Sequence, residues 1–468
     1  MLFHSQLFLL VFLPLALIGY YVLASRRLAR IWWLILASFV FYGYWDFRLI
    51  PLLAGSIVVN WTLAHTHARF PLRHLVTIGV VLNLSVLGLF KYADFAADSV
   101  AWLGGWEHRQ WSIILPLAIS FFTFQQISYL ADLSRGTAPT YRFHEFALYI
   151  CFFPQLIAGP IVRHNEIIFQ LSEAPKRDGL DERLARGLTL FVVGLGKKVL
   201  LADQLVKLAD PVFAKAAARE AVLMAEGWIA TWAYAFQLYF DFSGYSDMAI
   251  GLALMFGFNL PLNFNAPYQA TSIRDFWRRW HMTLTRFMRD YVYVPIGLRF
   301  PFARRGKYRL PDLVSTLITM GLLGLWHGAA WTYVIFGLIH GVALVANQLW
   351  RRLGLSMPAI VGWALTILFF ALSLVLFRSE SVGVTIEILT VMLTGGGDGD
   401  PTVSLGLHKM ILLACAAAIA MLGPTSQKVV LDGLKPQPVF AAATAVTLVA
   451  VMVYGGGPDI KEFIYFQF

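Results

Sequence analysis

The chain has 468 residues, of which 58% are hydrophobic and only 14% are charged, whereas a soluble domain has roughly 45–50% apolar and about 25% charged residues. This composition excludes an ordinary soluble protein and predicts an integral membrane protein. Because a spanning helix needs about 20 mostly apolar residues, short loops leave room for roughly ten to twelve spans. We therefore expect an all-α, polytopic membrane protein that forms one integral domain over residues 1–468.

The first apolar run, residues 7–23, has no basic region before it and ends in Arg26, Arg27 and Arg30. This pattern predicts a retained first span. A glycine-rich connection at 395–400 precedes the last two runs and favours a solvent-exposed loop. Several runs, notably 248–258, are shorter than a span, which is typical of tilted or re-entrant segments that line a cavity. The runs after the first are 31–44, 49–63, 75–90, 113–130, 146–162, 188–201, 228–240, 248–258, 313–325, 332–349, 360–377, 410–422 and 439–454.

Positive charge is concentrated in residues 271–310, which contain ten basic and two acidic residues. This stretch carries a net charge of +8 out of +10 for the chain, so the positive-inside rule predicts that it is cytoplasmic. One interpretation is a topology signal that touches anionic lipid. The other is an amphipathic element at 276–281 (FWRRWH) that also receives an anionic substrate. Nucleic-acid binding is not expected, because the rest of the chain would hold the patch against the bilayer.

No nucleophile elbow, phosphate-binding glycine loop or HExxH motif occurs in the sequence, so chemistry would depend on polar residues inside the apolar body. The first such cluster lies at 237–247 and holds Asp241 and Asp247. Because Ser243-Gly244 favours a break, we expect the two acids to flank a turn. Helix capping or pairing with the arginines of the basic stretch is the alternative to direct catalysis. The two cysteines, Cys151 and Cys415, lie in apolar runs and are expected to be buried, with no metal site.

Histidines mark the other two clusters. His281 follows Trp280 at the end of the arginine-rich element, and His327 closes the apolar run 313–325 beside Gly328. The ordinary imidazole pKa of about 6.5 suits proton transfer near neutral pH. From the residues alone, His327 is a catalytic base, a proton-relay group of a transporter, or a hydrogen-bonded core residue. His340 is a weaker candidate that fits a role in helix packing.

Four longer runs carry a resemblance: FFPQLIAGPIVR at 152–163, QLYFDFSGYSDMAIG at 237–251, a third at 263–293 containing RRWH, and GLWHGAAWTYVIFGLIHG at 324–341. Together they resemble the membrane-bound O-acyltransferase family, and most of all its bacterial branch of alginate O-acetyltransferases. The D-alanyl transfer protein of teichoic acids is a related member. The resemblance covers about residues 1–380, weakens over 381–468, and fails at the basic loop 297–310, which bears on the acceptor polymer more than on the reaction.

The resemblance implies a ring of spans around a thinned centre with short re-entrant segments. It also implies that His327 is catalytic with His281 as its companion, and that an acyl thioester, acetyl-CoA in this branch, is a substrate rather than a bound cofactor. It further implies that the acceptor is an extracytoplasmic polysaccharide, reached directly or through an SGNH-type partner protein, and that the protein lies in the bacterial inner membrane. The residues expected to bind substrate are Trp280, Arg278, Arg279, Arg289, Asp241, Asp247 and Trp326, and no metal is expected.

Overall fold

The structure, a computed structural model, describes residues 1–298, 310–395, 401–402, 406–434, 437–455 and 463–464. Within these ranges the chain is helical and contains no strand, which confirms the predicted all-α class. Five basic residues of the predicted cytoplasmic stretch, Arg299, Arg304, Arg305, Lys307 and Arg309, lie outside the described residues. So do residues 396–400 of the glycine-rich connection.

The helices are labelled in chain order. In the first half of the chain they are α1 (Leu13–Val22), α2 (Arg27–Gly43), α3 (Ile50–Arg69), α4 (Arg73–Gly104), α5 (Ile119–Ser134), α6 (Phe143–Cys151), α7 (Phe153–Leu156), α8 (His164–Ile167), α9 (Leu180–Gly196) and α10 (Asp203–Ala217). The second half contains α11 (Met224–Met255), α12 (Ile273–Arg279), α13 (Met282–Met288), α14 (Val294–Leu298), α15 (Leu310–His327), α16 (Trp331–Arg352), α17 (Ala359–Arg378), α18 (Val382–Thr394), α19 (Leu407–Leu422) and α20 (Pro438–Gly455).

By length and composition, four helical segments of the described chain can cross a membrane: Phe47–Arg69, His74–Gly104, Trp331–Arg352 and Ala359–Arg378. Shorter apolar helices lie at Phe8–Val22, Val382–Thr394, Leu407–Leu422 and Pro438–Tyr454. These helices agree with a membrane protein, because an apolar helix satisfies all of its backbone hydrogen bonds internally. The total of ten to twelve spans stays a prediction.

The region predicted as two short apolar segments around a turn is one continuous helix, α11. The prediction of a break at Ser243-Gly244, and of a separate short segment at 248–258, is therefore wrong. Residues 233–256 are all buried, and a broken helix there would leave backbone polar groups without partners. Burial thus outweighs the weak local preference of serine and glycine for a turn.

The chain divides into two compact units, and two of the boundaries between them fall inside α9 and α11. The first unit consists of Met1–Leu195, Tyr245–Leu262 and Val430–Glu462, and the second of Gly196–Gly244, Asn263–Val429 and Phe463–Phe468. The prediction of one integral domain stays a prediction. Cys151 is buried as expected, but Cys415 is exposed on α19. A helix that packs against the protein along one face leaves the apolar residues of its other face exposed.

In the first unit, aromatic rings and a buried amide network hold the helices together. Phe8 contacts Phe12 with a centroid distance of 5.5 Å, and Phe12 contacts Phe153 at 5.3 Å. Asn60 on α3 donates to Gln126 on α5 at 2.8 Å and accepts from Asn83 on α4 at 2.7 Å. Polar side chains of this kind fix helix pairing where hydrophobic contacts alone give little specificity.

In the second unit, α15 and α16 form a closely packed hairpin around glycines. A Cβ atom at Gly324 would collide with the carbonyl oxygen of Tyr333, and one at Gly337 would collide with that of Met320. Glycine lets the two backbones approach this closely because it has no side chain. The hairpin therefore fixes the position of His327, the last residue of α15, and of His340 on α16.

Candidate active site

The arginine-rich element is a short amphipathic helix, α12, as the sequence predicts. Its N-terminus is capped by the Ser272 hydroxyl, which accepts the backbone N–H of Asp275 at 3.2 Å. Phe276 and Trp277 are buried, whereas Arg278 is exposed. The helix thus directs aromatic side chains into the second unit and leaves Arg278 accessible.

His281 lies between α12 and α13 and is completely buried. Its backbone adopts the left-handed conformation with φ of 41°, which costs a residue with a Cβ about 1–2 kcal/mol. The ring nitrogen Nδ1 lies 3.0 Å from Oδ1 of Asn263. Burial lowers the pKa of His281 to about 3, so the ring is neutral at pH 7.

Trp326 brings the two predicted catalytic histidines to one place. Its ring centroid lies 5.9 Å from that of His281 and 5.0 Å from that of His327. His327 is 4% exposed and also contacts Phe377, with a centroid distance of 5.1 Å. Two histidines 46 positions apart in sequence therefore share one buried, aromatic environment inside the second unit.

Trp280 is buried in an aromatic cluster of the same unit. Its ring stacks on Phe276 with a centroid distance of 5.7 Å and an interplanar angle of 16°, and contacts Phe264 at 5.1 Å and Phe370 at 5.3 Å. These contacts fix the start of the turn that carries His281. A direct role of Trp280 in orienting the donor stays a prediction.

His340 is held by hydrogen bonds on both ring nitrogens. Trp277 Nε1 donates to its Nδ1 at 3.3 Å, and its Nε2 lies 3.0 Å from Oγ of Ser373. The Ser373 hydroxyl donates to the carbonyl of Phe370 at 2.7 Å, so its oxygen accepts a hydrogen bond from the Nε2–H of His340. His340 is therefore a packing residue that links α12, α16 and α17, as the sequence predicts.

For three other predicted site residues, Arg279, Arg289 and Asp247, the structure gives partners or positions other than the two histidines. Arg279 pairs with Asp275 at 3.0 Å, and Arg289 pairs with its neighbour Asp290 at 2.6 Å while keeping 63% of its side chain exposed. Asp247 is buried and belongs to the first unit. The part of these residues in substrate binding stays a prediction.

Asp241 forms a buried salt bridge with Lys198, rather than with the arginines that the sequence suggests. Lys198 Nζ lies 2.6 Å from Asp241 and 2.8 Å from Asp203, and it packs over the ring of Phe463 at 4.9 Å. Asp241 also accepts the backbone N–H of Ile464 at 2.9 Å. Two charges that are both almost fully buried need such close partners, because desolvation of an isolated charge costs several kcal/mol.

Sequence reasoning missed two residues of these clusters, Lys198 and Asn263. Lys198 lies inside the apolar run 188–201, where a buried ammonium group predicts a nearby carboxylate. Asn263 opens one of the runs that carry the family resemblance, but a neutral amide does not stand out there. Among the described residues, no group of three or more His, Cys, Asp or Glu side chains could hold a metal ion.

Comparison with known proteins gives a consistent result. The model of the MBOAT, membrane-bound O-acyltransferase family matches residues 136–377. The chain is 39% identical to a "Peptidoglycan O-acetyltransferase" of Helicobacter pylori, over 84% of the chain and 80% of that protein. It is 40% identical to a "Probable alginate O-acetylase AlgI" of Pseudomonas aeruginosa, over 85% of the chain and 75% of that protein. A "Teichoic acid D-alanyltransferase" of Streptococcus thermophilus is 30% identical over 52% of the chain and 59% of its own length.

Proposed function

Because the chain belongs to the membrane-bound O-acyltransferase family, we propose that it transfers an acetyl group from a cytoplasmic thioester, such as acetyl-CoA, to hydroxyl groups of an extracytoplasmic polysaccharide. The chain is a membrane-bound acyltransferase by family and by its apolar helices. The bacterial origin of the relatives supports the inner membrane as its location. The identity of the donor and of the acceptor is part of the proposal.

The contact of Trp326 with both histidine rings carries this proposal. Acyl transfer to a hydroxyl needs a base for the hydroxyl proton and groups that position the thioester carbonyl. Exclusion of water is a further requirement, since water would hydrolyse the thioester. Two buried histidines in one aromatic environment supply all three features.

In the proposed reaction, a hydroxyl oxygen attacks the carbonyl carbon of the thioester while His327 accepts the hydroxyl proton. The carbon–sulfur bond then breaks, and the leaving thiolate takes the proton, so that an ester and a free thiol are formed. His281 orients the reactants, and hydrogen-bond donors near the carbonyl oxygen offset its developing charge. The proton of the acceptor hydroxyl thus passes through His327 to the leaving thiolate.

In this proposal, the acyl donor enters from the cytoplasm and binds first to the basic stretch. Arg278 is exposed at the end of α12, three positions before His281. Guanidinium groups bind phosphate through paired hydrogen bonds, and a CoA-type donor carries phosphates. A polybasic cytoplasmic surface also fits contact with anionic lipid.

The acceptor in this proposal is an envelope polysaccharide of the kind named in the relatives, alginate or peptidoglycan. The polymer receives the acyl group either directly or through an SGNH-type partner protein outside the membrane. D-alanyl transfer to a cell-wall polymer is the second candidate, because one similar protein is named a teichoic acid D-alanyltransferase. The two acyl groups differ in mass and charge, so they are distinguishable by measurement.

A His327→Ala variant tests the proposal, and His408→Ala, at an exposed position on α19, is the matched control. Loss of a general base is expected to slow transfer by about 10²–10⁴-fold, with unchanged amounts of folded protein in the membrane. Mass spectrometry of envelope glycans from a deletion strain, complemented with each variant, measures ester content. A lost ester of about 42 Da indicates acetyl and one of about 71 Da indicates alanyl. Near-normal ester content with His327→Ala would refute the catalytic assignment.

A further inference from the structure

The side chain of Asn263 is the centre of a buried hydrogen-bond cluster around His281. Asn263 is completely buried, and its Oδ1 receives three contacts: the backbone N–H of Thr283 at 3.3 Å, the hydroxyl of Thr283 at 2.9 Å, and Nδ1 of His281 at 3.0 Å. Its backbone carbonyl also accepts the N–H of Met282 at 2.9 Å. One residue therefore contacts the backbone and the side chains on both sides of the turn.

The orientation of the Asn263 amide follows from its backbone contact. Oxygen and nitrogen of an amide are hard to tell apart by shape, so the hydrogen-bond network must decide between them. A backbone N–H can only donate, and Thr283 directs its N–H at this atom. The atom that faces His281 is therefore the oxygen, which can only accept.

An acceptor at this position fixes the tautomer of His281. Nδ1 must carry the proton that it donates to Asn263, so in the neutral ring Nε2 carries the lone pair. The left-handed backbone at His281 is held in place by the Met282–Asn263 hydrogen bond and by the bond from the Asn265 N–H to the Arg279 carbonyl at 2.9 Å. Both the direction and the protonation of the ring are thus set before any substrate binds.

We infer that Asn263 is a positioning residue that fixes His281 as the Nδ1–H tautomer, so that Nε2 receives a hydrogen bond from an amide N–H of the acyl donor. This inference rests on the proposed function for the part of His281 in the reaction. In the Ser-His-Asp triad of serine proteases, the aspartate serves the same purpose for the catalytic histidine, and the wrong histidine tautomer costs about 10⁴ in rate. Here a neutral amide performs it, which avoids burying an uncompensated charge.

The test compares Asn263→Leu, which removes the hydrogen-bond acceptor of His281 at nearly constant side-chain size, with Asn263→Asp, which retains an oxygen acceptor there. Thr366→Val is the matched control, because it deletes a different buried polar group, a hydroxyl that donates to the carbonyl of Gly362 at 2.6 Å. The full chain, labelled with ¹⁵N-histidine and placed in lipid bilayers, gives the protonation of each ring nitrogen by solid-state NMR. His281→Gln assigns the signal of interest among the eleven histidines.

The expected result is a protonated Nδ1 and an unprotonated Nε2 at His281 in the unsubstituted protein, in Asn263→Asp and in the control. Asn263→Leu is expected to move or mix the proton between the nitrogens. It is also expected to lower kcat for acetyl transfer from acetyl-CoA by about 10–100-fold with little change in KM. A His281 signal with Nε2 protonated in the unsubstituted protein would overturn the inference.

The inference and the proposed function fail in different ways. If His327→Ala abolishes transfer while Asn263→Leu leaves kcat unchanged, the positioning role is refuted and the proposed function stands. If neither substitution slows transfer, the role of His327 as the base and the positioning role of Asn263 are both refuted. If the unsubstituted protein transfers no acetyl group while His281 keeps its proton on Nδ1, the proposed function is refuted and the tautomer assignment stands. Should Asn263→Leu fail to fold, as judged by size-exclusion chromatography, Asn263→Asp still decides: loss of the Nδ1 proton there contradicts the assignment.

Discussion

His281 and His340 are both completely buried in the second unit, but their neighbours give them opposite tautomers. His340 carries its proton on Nε2, because Ser373 accepts there and the Trp277 indole donates to Nδ1. His281 carries its proton on Nδ1, because Asn263 accepts there. The lone pair of His340 therefore lies on Nδ1, which faces the Trp277 indole, whereas the lone pair of His281 lies on Nε2, on the other side of the ring from Asn263.

This difference teaches that burial and residue type do not identify a chemically active histidine. Both rings meet those criteria, and both lie close to aromatic side chains. The hydrogen-bond partners decide which nitrogen of a buried ring carries the proton, and His340 must give up the bond from Trp277 before its Nδ1 accepts a proton. Changing each histidine in turn is the most direct way to test the comparison.

Replacing each histidine by leucine should give contrasting effects, and this is the largest difference that we predict. His281→Leu is expected to lower transfer about 10²-fold or more. His340→Leu is expected to leave transfer per folded molecule close to normal but to reduce stability by about 1–3 kcal/mol, because the N–H of Trp277 loses its buried acceptor. Transfer rates and thermal unfolding of both variants, purified in the same detergent, measure the contrast. Equal losses of transfer in the two variants would remove the distinction.

The sequence predicted the main features of this site because charged and ionisable residues are scarce in an apolar chain. His281 and His327 stand out for that reason, and so does the amphipathic pattern of α12. Asn263 did not, because a neutral amide has no charge to reveal it and its contact with His281 spans 18 positions. The prediction that Asp241 pairs with the arginines of the basic stretch was wrong, because tertiary packing, rather than local sequence pattern, brings Lys198 to Asp241.

The sequence predicted that the apolar runs form helices, but it did not predict where one of these helices continues. Apolar runs predict helices well, because lipid leaves the backbone few alternatives. The continuity of α11 through Ser243-Gly244 was missed, since turn preferences are properties of an exposed chain and this segment is buried. A Ser-Gly pair between two apolar runs therefore does not mark the end of a helix that is surrounded by protein.

A second prediction concerns the hairpin that holds His327 and His340 at fixed positions. Gly324→Ala should destabilise the protein by about 1–3 kcal/mol, because the new methyl group collides with the backbone of α16. Gly55→Ala on α3 is the matched control, since no heavy atom lies within 4 Å of its added Cβ. Thermal unfolding in detergent measures both. An unchanged melting temperature for Gly324→Ala would show that the two helices pack less tightly than described.

The smallest predicted effect concerns the arginines on α12, the helix that leads to His281. Arg278→Gln should raise the apparent KM for acetyl-CoA about two- to fivefold with kcat unchanged, as expected for one exposed charge. Arg279→Gln should change KM less, because Arg279 is already bound to Asp275. Initial rates of thiol release from acetyl-CoA by membrane vesicles measure both variants. If KM is unchanged in both while membrane insertion is altered, the basic stretch is a topology signal.

The contact between Ile464 and Asp241 has a consequence for the order of folding. The two residues are 223 positions apart in sequence, and Asp241 lies deep in a helix whose synthesis ends long before Ile464 is made. During synthesis, Asp241 therefore lacks this hydrogen bond until residue 464 has left the ribosome. Long-range contacts of this kind slow the final step of folding. The nascent chain should thus remain sensitive to protease around α11 until that residue has left the ribosome.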